Sequence, residues 1–131
     1  MRLVLDTSAY SHFRANHHEV VERIASAEVV FLPTIVLGEL EAALRMGRRA
    51  ADNRAKLEEL LQEDFVAVLP VTAEVARRYG EVFATLRAAG TPIPVNDIWI
   101  AATTMDAGAH LVTFDRDFER VDALERTVLA I

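Results

Sequence analysis

Five short runs of apolar residues recur along this chain, and longer stretches of helical character lie between them. Each run has aliphatic or β-branched side chains at consecutive positions, so both faces of the resulting strand are apolar. Such strands alternating with helices are typical of a parallel sheet covered on both sides, because parallel neighbours require crossover connections. The sequence therefore predicts an α/β protein, a three-layer α/β/α sandwich with a central, mostly parallel sheet of about five strands. The predicted strands are residues 2–6, 29–33, 66–71, 111–114 and 127–131.

Capping residues and glycines delimit the helices. Asn16 is a candidate N-cap with Glu19 three residues later, and Gly47, Gly90 and Gly108 are candidate helix ends. Two helices follow one another between the second and third strands, which indicates a helical hairpin. A further helix start is indicated directly after the first strand. The predicted helices are residues 16–27, 34–46, 50–63, 72–89 and 96–107.

The composition is that of one folded domain spanning residues 1–131. Hydrophobic residues make up 52% of the chain and charged residues 26%, without repeats or linkers. The absence of cysteine excludes disulfides, thiolate zinc sites and cysteine nucleophiles. No secretory signal is evident, and no apolar stretch approaches the ~20 residues that span a bilayer. We therefore expect a soluble, cytoplasmic protein without membrane contacts.

Two aspartates close predicted strands. Asp6 follows the first strand and Asp115 follows the fourth. Functional groups in open parallel sheets gather outside the carboxyl ends of the strands, so both carboxylates are expected at one sheet edge. Each could instead be only the N-cap of the next helix. Position alone leaves both interpretations open.

Glu39 lies on the apolar side of its predicted helix. At about 100° per residue it shares an arc with Val36, Ala43 and Met46, whereas Glu41 points the other way. An unpaired carboxylate on a core-facing arc is costly, so it must be neutral, pair with a cation or bind a metal. A salt bridge to one buried arginine is the ordinary alternative.

Asp97 begins a helix that is apolar almost all round and is therefore expected to be buried. Its carboxylate lies in the first turn, near the sheet edge. Asn96 or Asp97 could serve simply as the N-cap, which leaves the other polar residue unexplained. Trp99, on the same helix, is expected to be a core residue.

Four motifs in this order resemble those of the PIN-domain family, and the short chain resembles the VapC-type toxins of toxin–antitoxin pairs. They are LVLDTS at 3–8, TIVLGEL at 34–40, NDIWIAA at 96–102 and LVTFDRDF at 111–118. The resemblance implies an Mg²⁺- or Mn²⁺-dependent endoribonuclease, the toxin of a type II toxin–antitoxin system. It also implies a cognate antitoxin that holds the enzyme inactive, and a homodimer.

The same resemblance assigns roles to individual residues. The implied catalytic acids are Asp6, Glu39, Asp97 and Asp115. The implied metal ligands are Asp6, Asp97, Asp115 and Asp117, where Asp117 shares or takes the role of Asp115. The implied supporting residues are Thr7, Ser8, Asn96 and Thr113.

The chemistry of the acids supports a metal site independently of the family. Mg²⁺ prefers oxygen ligands and typically takes one or two carboxylates plus water and substrate phosphate. A bound ion would activate a water for attack on phosphorus, and a second would stabilise the leaving 3′-oxygen. Because like charges repel, at least one carboxyl should have a raised pKa without metal.

Basic residues are concentrated in the predicted helical hairpin, although the formal net charge is −6. Guanidinium groups there could contact RNA phosphates. A solvated helix face is an equally good interpretation. The candidate RNA-binding residues are Arg45, Arg48, Arg49 and Arg54.

Other functions remain open at this point. A haloacid-dehalogenase-like phosphatase requires a second Asp two residues after Asp6, where this chain has Ser8, and a lysine near the later acids, whereas the only lysine is Lys56. A receiver-like signalling domain requires paired acids after the first strand. A PIN-like scaffold without catalysis is a third alternative, although scaffolds of that kind usually lose the acids.

Two further patterns are ambiguous. The histidines lack the i, i+4 spacing of a helical zinc pair and are expected at the surface, near helix starts. An apolar stripe on the fourth predicted helix is either a homodimer face or ordinary core. The histidines are His12, His17, His18 and His110, and the stripe is Ala76, Tyr79, Val82, Phe83 and Leu86.

Overall fold

The computed structural model describes residues 1–131 and has one five-stranded sheet in which every neighbouring pair is parallel. The strand order is β3-β2-β1-β4-β5. Consecutive residues of β1 and β4 are buried, so side chains on both sheet faces are covered. The predicted fold class is confirmed. The strands are β1 Arg2–Leu5, β2 Val29–Pro33, β3 Val66–Leu69, β4 His110–Thr113 and β5 Arg126–Val128.

Six α-helices and one 3₁₀ helix connect the strands. The helical hairpin predicted between β2 and β3 is present as α3 and α4, and α5 and α6 pack against each other. The helices are α1 Thr7–Arg14, α2 His18–Ser26, α3 Thr34–Met46, α4 Ala50–Leu61, α5 Ala73–Ala89 and α6 Val95–Asp106, and the 3₁₀ helix is Arg116–Arg120.

The sequence predicts only the start of α1 and does not predict the 3₁₀ helix at all. The sequence indicates the start of α1 but not its eight residues, because most of its side chains are polar and only Ala9 and Tyr10 are buried. The 3₁₀ helix has only one buried residue, Phe118, and five residues carry no helical periodicity.

The predicted cap of α2 is wrong. Asn16 has φ +61°, the left-handed conformation that asparagine tolerates better than most residues, and it stands before the helix. The residue at the N-cap is His17, whose side chain makes no capping hydrogen bond. By contrast, Thr72 caps α5 by accepting a hydrogen bond from the amide of Val75, and Gly90, with φ +71°, ends that helix.

The arc predicted to bury one face of α3 is partly wrong. Val36, Leu40 and Leu44 are buried, whereas Ala43 is exposed and Met46 is 86% exposed. The core-facing stripe is therefore rotated away from Ala43 and Met46. Glu39 lies beside the buried stripe and is half-buried.

Strand register places the first and last motifs side by side. Leu5 of β1 pairs with Val112 of β4, so the segments that follow these residues leave the same edge of the sheet next to each other. Phe118, fully buried, attaches the 3₁₀ helix to the core just beyond that edge. None of the helices combines the length and apolar composition that a membrane-spanning helix requires.

Candidate metal centre

Three carboxylates converge at the end of the sheet where β1 and β4 finish. Asp97, Asp115 and Asp117 each present an oxygen, and these oxygens all lie within 4.8 Å of one another. All three side chains are half-buried, which leaves one side open to solvent. Asp97 belongs to the first turn of α6, and the other two belong to the turn between β4 and the 3₁₀ helix.

The turn after β4 is held by its own hydrogen bonds. Asp115 is the N-cap of the 3₁₀ helix, and its Oδ1 accepts a 2.8 Å hydrogen bond from the amide of Asp117. The amide of Asp115 donates to Oγ1 of Thr113 at 3.0 Å. Arg120 reaches Asp117 only at 3.9 Å. The capping bond uses one oxygen of Asp115 and leaves the other available to a ligand.

Asp97 has no structural partner that explains it. The N-cap of α6 is Pro94, so the alternative that Asn96 or Asp97 caps the helix is wrong. The pKa of Asp97 is raised to about 7, because its carboxyl is buried first of all, and because Asp115, Glu39, Asp6 and Asp117 repel its charge. This result agrees with the expectation that mutual repulsion raises a pKa in the cluster.

Asp6 is the most buried of the acids, at 4% exposure, and lies outside the group of three. Its Oδ1 accepts hydrogen bonds from the amide of Ala9 at 2.8 Å and from Oγ of Ser8 at 2.7 Å. Its Oδ2 accepts one from Oγ1 of Thr113 at 2.6 Å. Burial still raises the pKa of Asp6 despite these donors, and the charge of Asp115 adds to the effect. Asp6 is thus the N-cap of α1 and also a neighbour of the acidic cluster.

Glu39 approaches from α3. Its Oε1 accepts a 2.6 Å hydrogen bond from Oγ1 of Thr7, and its Oε2 lies 3.5 Å from Nδ2 of Asn96. No arginine pairs with it, so the salt-bridge alternative is wrong. The two neighbours connect Glu39 to the β1–α1 turn and to the start of α6.

The hydroxyl groups connect the two turns at the sheet edge. Oγ of Ser8 donates to Asp6 and accepts a 2.9 Å hydrogen bond from the amide of Phe114. Oγ1 of Thr113 donates to Asp6 and accepts from the amide of Asp115. The donors around Asp6 are therefore held by the same turn that carries Asp115.

The charge balance of the site favours a divalent cation. No lysine or arginine forms an ion pair with Asp6, Asp97 or Asp115. Carboxylate oxygens without thiolate ligands suit Mg²⁺ or Mn²⁺ better than zinc. The donor set and the unrelieved repulsion both fit a hard cation.

Comparison with known proteins agrees with this geometry. The sequence model of the PIN-domain family matches residues 3–124 of this chain. The chain belongs to the PIN-domain family. A relative of this PIN domain, ribonuclease VapC4 of Mycobacterium tuberculosis, is 31% identical over 128 residues, which cover 95% of this chain and 94% of the relative.

Solved structures resemble the PIN domain over nearly its whole length. The structure of VapBC-1 from nontypeable Haemophilus influenzae has a TM-score of 0.86 and 25% identity, and the match covers 98% of each chain. VapBC-5 from M. tuberculosis, a member of the VapBC family of toxin–antitoxin systems, has a TM-score of 0.77 and 27% identity, again over 98% of each chain.

The basic residues of the PIN domain do not form one group. Arg54 makes a bidentate salt bridge with Glu41 at 2.8 and 2.7 Å, so its guanidinium is already occupied. Arg45, Arg48 and Arg49 are exposed, and none of them forms an ion pair. They lie at the α3–α4 turn, which leaves three of the four candidate RNA-binding arginines free.

Three histidines of the PIN domain are not simple surface residues. His110 is half-buried in β4, and its Nε2 lies 2.7 Å from Oγ1 of Thr127. The ring of His12 stacks on Phe114 with centroids 3.8 Å apart, and His17 packs edge-on against the same ring at 4.9 Å. His18, in contrast, is exposed and lies close to Glu22. No spacing rule in the sequence identifies this cluster, because α1 and the turn after β4 are far apart along the chain.

Proposed function

We propose that this protein is a divalent-metal-dependent endoribonuclease and the toxin of a type II toxin–antitoxin pair, with residues 1–131 as a single PIN domain. The observation that carries the proposal is the convergence of Asp97, Asp115 and Asp117 within 4.8 Å without a compensating ion pair at Asp97 or Asp115. Membership of the PIN-domain family and the relative named ribonuclease VapC4 support the activity.

We assign the acids different tasks. Asp97, Asp115 and Asp117 hold Mg²⁺ or Mn²⁺, because their oxygens are close and one side of the group is open. Asp6 lies outside this group and accepts hydrogen bonds from three donors, so it contributes negative charge and orders the Ser8 and Thr113 hydroxyls. Asp6 is therefore proposed as a catalytic acid whose task is mainly to organise the site.

Glu39 is proposed to orient the attacking water. It borders an open hollow of about 380 Å³ lined also by Thr34, Gly38 and Asn96, which gives solvent and a substrate strand access to its carboxylate. When bound, the divalent cation supplies a Lewis acid that lowers the pKa of water and offsets phosphate charge. Thr7 and Asn96 hold Glu39 in place for this task.

RNA is proposed to pass over the end of the sheet that carries the acids and to reach the α3–α4 turn. Arg45, Arg48 and Arg49 are free to contact phosphate, whereas Arg54 stabilises the hairpin through Glu41. The formal charge of −6 does not oppose this proposal, because the acids of the site supply part of it and a bound cation would offset them.

A cognate antitoxin and a homodimer complete the proposal. The similarity to VapBC-5 supports an antitoxin partner. The apolar stripe on α5 has a buried part and an exposed part. Val82 and Leu86 are core residues. Phe83 is 39% exposed and lies beside Tyr79, which stacks on Trp99. The exposed part of α5 is the proposed dimer face.

The phosphatase alternative receives no structural support. The hydroxyl of Ser8 is engaged by Asp6 and Phe114, and Lys56 pairs with Asp52 within α4. No lysine ion pair reaches the acidic cluster, as a phosphatase of that class requires.

Cleavage of RNA by purified protein tests the proposal. We expect cleavage of a mixed RNA pool with Mg²⁺ or Mn²⁺ and none with EDTA. Asp97→Asn should be inactive, and Asp64→Asn, which changes an exposed aspartate without an ion pair, should be as active as the parent. Metal-independent cleavage, or labelling by an acyl-phosphate trap without RNA cleavage, would contradict the proposal.

A further inference from the structure

Three aromatic rings form a cluster beside the metal centre. His12 lies nearly parallel to Phe114, with centroids 3.8 Å apart and an interplanar angle of 19°. His17 meets Phe114 at 78° and His12 at 85°, in edge-to-face contacts. Phe114 is half-buried, so these two imidazoles are a substantial part of its packing. We call His12, His17 and Phe114 the ring cluster.

Backbone and side-chain hydrogen bonds hold the ring of His12 in place. Its Nδ1 lies 2.8 Å from the carbonyl oxygen of Ser8, which accepts the hydrogen bond and therefore places the proton on Nδ1. The amide of His17 donates to the carbonyl oxygen of His12 at 2.9 Å. His12 thus has a fixed rotamer and a fixed tautomer at the end of α1.

Phe114 lies in the turn that carries Asp115 and Asp117. It stands between Thr113, which donates to Asp6, and Asp115, which is one of the three converging carboxylates. Its amide donates to Ser8, whose carbonyl holds His12. The ring stack and the amide bond are two separate connections between α1 and this turn.

We propose that His12 is a positioning residue for the metal centre: by stacking on Phe114, it holds the β4–3₁₀ turn so that Asp115 and Asp117 stay at binding distance from Asp97. This inference rests on the proposed metal-dependent function. Without the imidazole, one face of Phe114 loses its packing partner and the turn gains freedom. Residues that contact the ligands of a metal, and not the metal itself, typically contribute roughly 10- to 100-fold to metal affinity.

Three variants isolate the stack. His12→Ala removes both the ring and the hydrogen bond, whereas His12→Phe keeps a flat ring against Phe114. His18→Ala is the matched control, since that imidazole is exposed and pairs only with Glu22. Mn²⁺ affinity is measured without RNA, by electron paramagnetic resonance of free Mn²⁺, and thermal unfolding is measured in EDTA.

We expect His12→Ala to weaken Mn²⁺ binding by about tenfold or more, while His12→Phe and His18→Ala stay within about threefold of the parent. Cleavage by His12→Ala should recover at high Mn²⁺, because only ligand positioning is lost. Equal Mn²⁺ affinity of His12→Ala and the parent overturns the inference and leaves the proposed function intact. Failure of the parent itself to bind Mn²⁺ overturns both. A parallel loss in His12→Ala and His12→Phe overturns the role of the stack.

Discussion

Replacing Asp97 with asparagine is expected to stabilise the metal-free protein at pH 8 and to abolish cleavage. The carboxyl has an ordinary pKa of 3.8 and a folded-state pKa of about 7, because burial and four neighbouring acids disfavour its charge. A folded-state pKa above the unfolded value means that the folded protein binds more protons between these limits. The contribution of Asp97 to stability therefore falls as the pH rises from about 4 to about 7. Asparagine keeps the shape and removes the charge.

The magnitude follows from the shift. A difference of about three pKa units corresponds to roughly 4 kcal/mol at a pH above both values. The side chain is only half-buried, so solvent screening reduces this to about 2 kcal/mol. For a domain of this size, about 2 kcal/mol raises the melting temperature by roughly 6 °C.

Thermal unfolding in EDTA, followed by circular dichroism between pH 4 and pH 8, measures the effect. The advantage of Asp97→Asn over the parent should be largest at pH 8 and should shrink toward pH 4, where the folded protein keeps the carboxyl protonated and the unfolded chain is close to its own pKa of 3.8. In saturating Mn²⁺ the order should reverse, because only the parent gains stability from binding the ion. An Asp97→Asn protein that is no more stable than the parent at pH 8 in EDTA would refute the argument from charge repulsion.

Three other substitutions test the structural reasoning. Phe118→Ala should lower the free energy of unfolding by about 3–5 kcal/mol in urea titrations, because Phe118 is the buried residue of the 3₁₀ helix. A loss below about 1 kcal/mol would mean that this side chain does not anchor the helix. Thr113→Val keeps the shape of the side chain but removes the hydroxyl that donates to Asp6 at 2.6 Å. We expect the free energy of unfolding to fall by about 1–3 kcal/mol, and to fall more at pH 8 than at pH 5. A loss that does not depend on pH would contradict this. Asn16 has φ +61°, so Asn16→Ala should lower the free energy of unfolding by about 1–2 kcal/mol, whereas Asn16→Gly should stay within about 0.5 kcal/mol of the parent. Equal effects of the two substitutions would show that this conformation costs alanine nothing.

The strands and most helices could be predicted because each carries a local signal. Consecutive aliphatic residues identify β1, β2 and β4, and Gly90 ends α5 as predicted because its φ is positive. Residues 129–131 were wrongly predicted as strand: Ile131 is 97% exposed, and β5 ends at Val128. Apolar composition alone does not show where a sheet ends.

The candidate site could be predicted only in part. Sequence order placed Asp6 and Asp115 at one edge, and parallel pairing of β1 with β4 brings these turns together. It could not show that Asp6 accepts hydrogen bonds from three donors, because these come from residues as far away as Thr113. Nor could it show that Arg54 is occupied by Glu41, which depends on how α3 and α4 pack. These contacts arise from tertiary packing, which leaves no local pattern.

The pairing of β1 with β4 also determines when a ribosome-bound chain can become a nuclease. Thr113 and Asp6 are 107 positions apart in sequence, so β4 takes its place beside β1 only after the segment between them has been synthesised. Three of the acids, Asp97, Asp115 and Asp117, are translated long after Asp6 and β1. Since domains fold as units during synthesis, a chain that has not yet reached β4 lacks Asp115 and Asp117 and also the strand that orients them. A cell that translates this protein is exposed to its activity only after β4 and Asp117 have been synthesised.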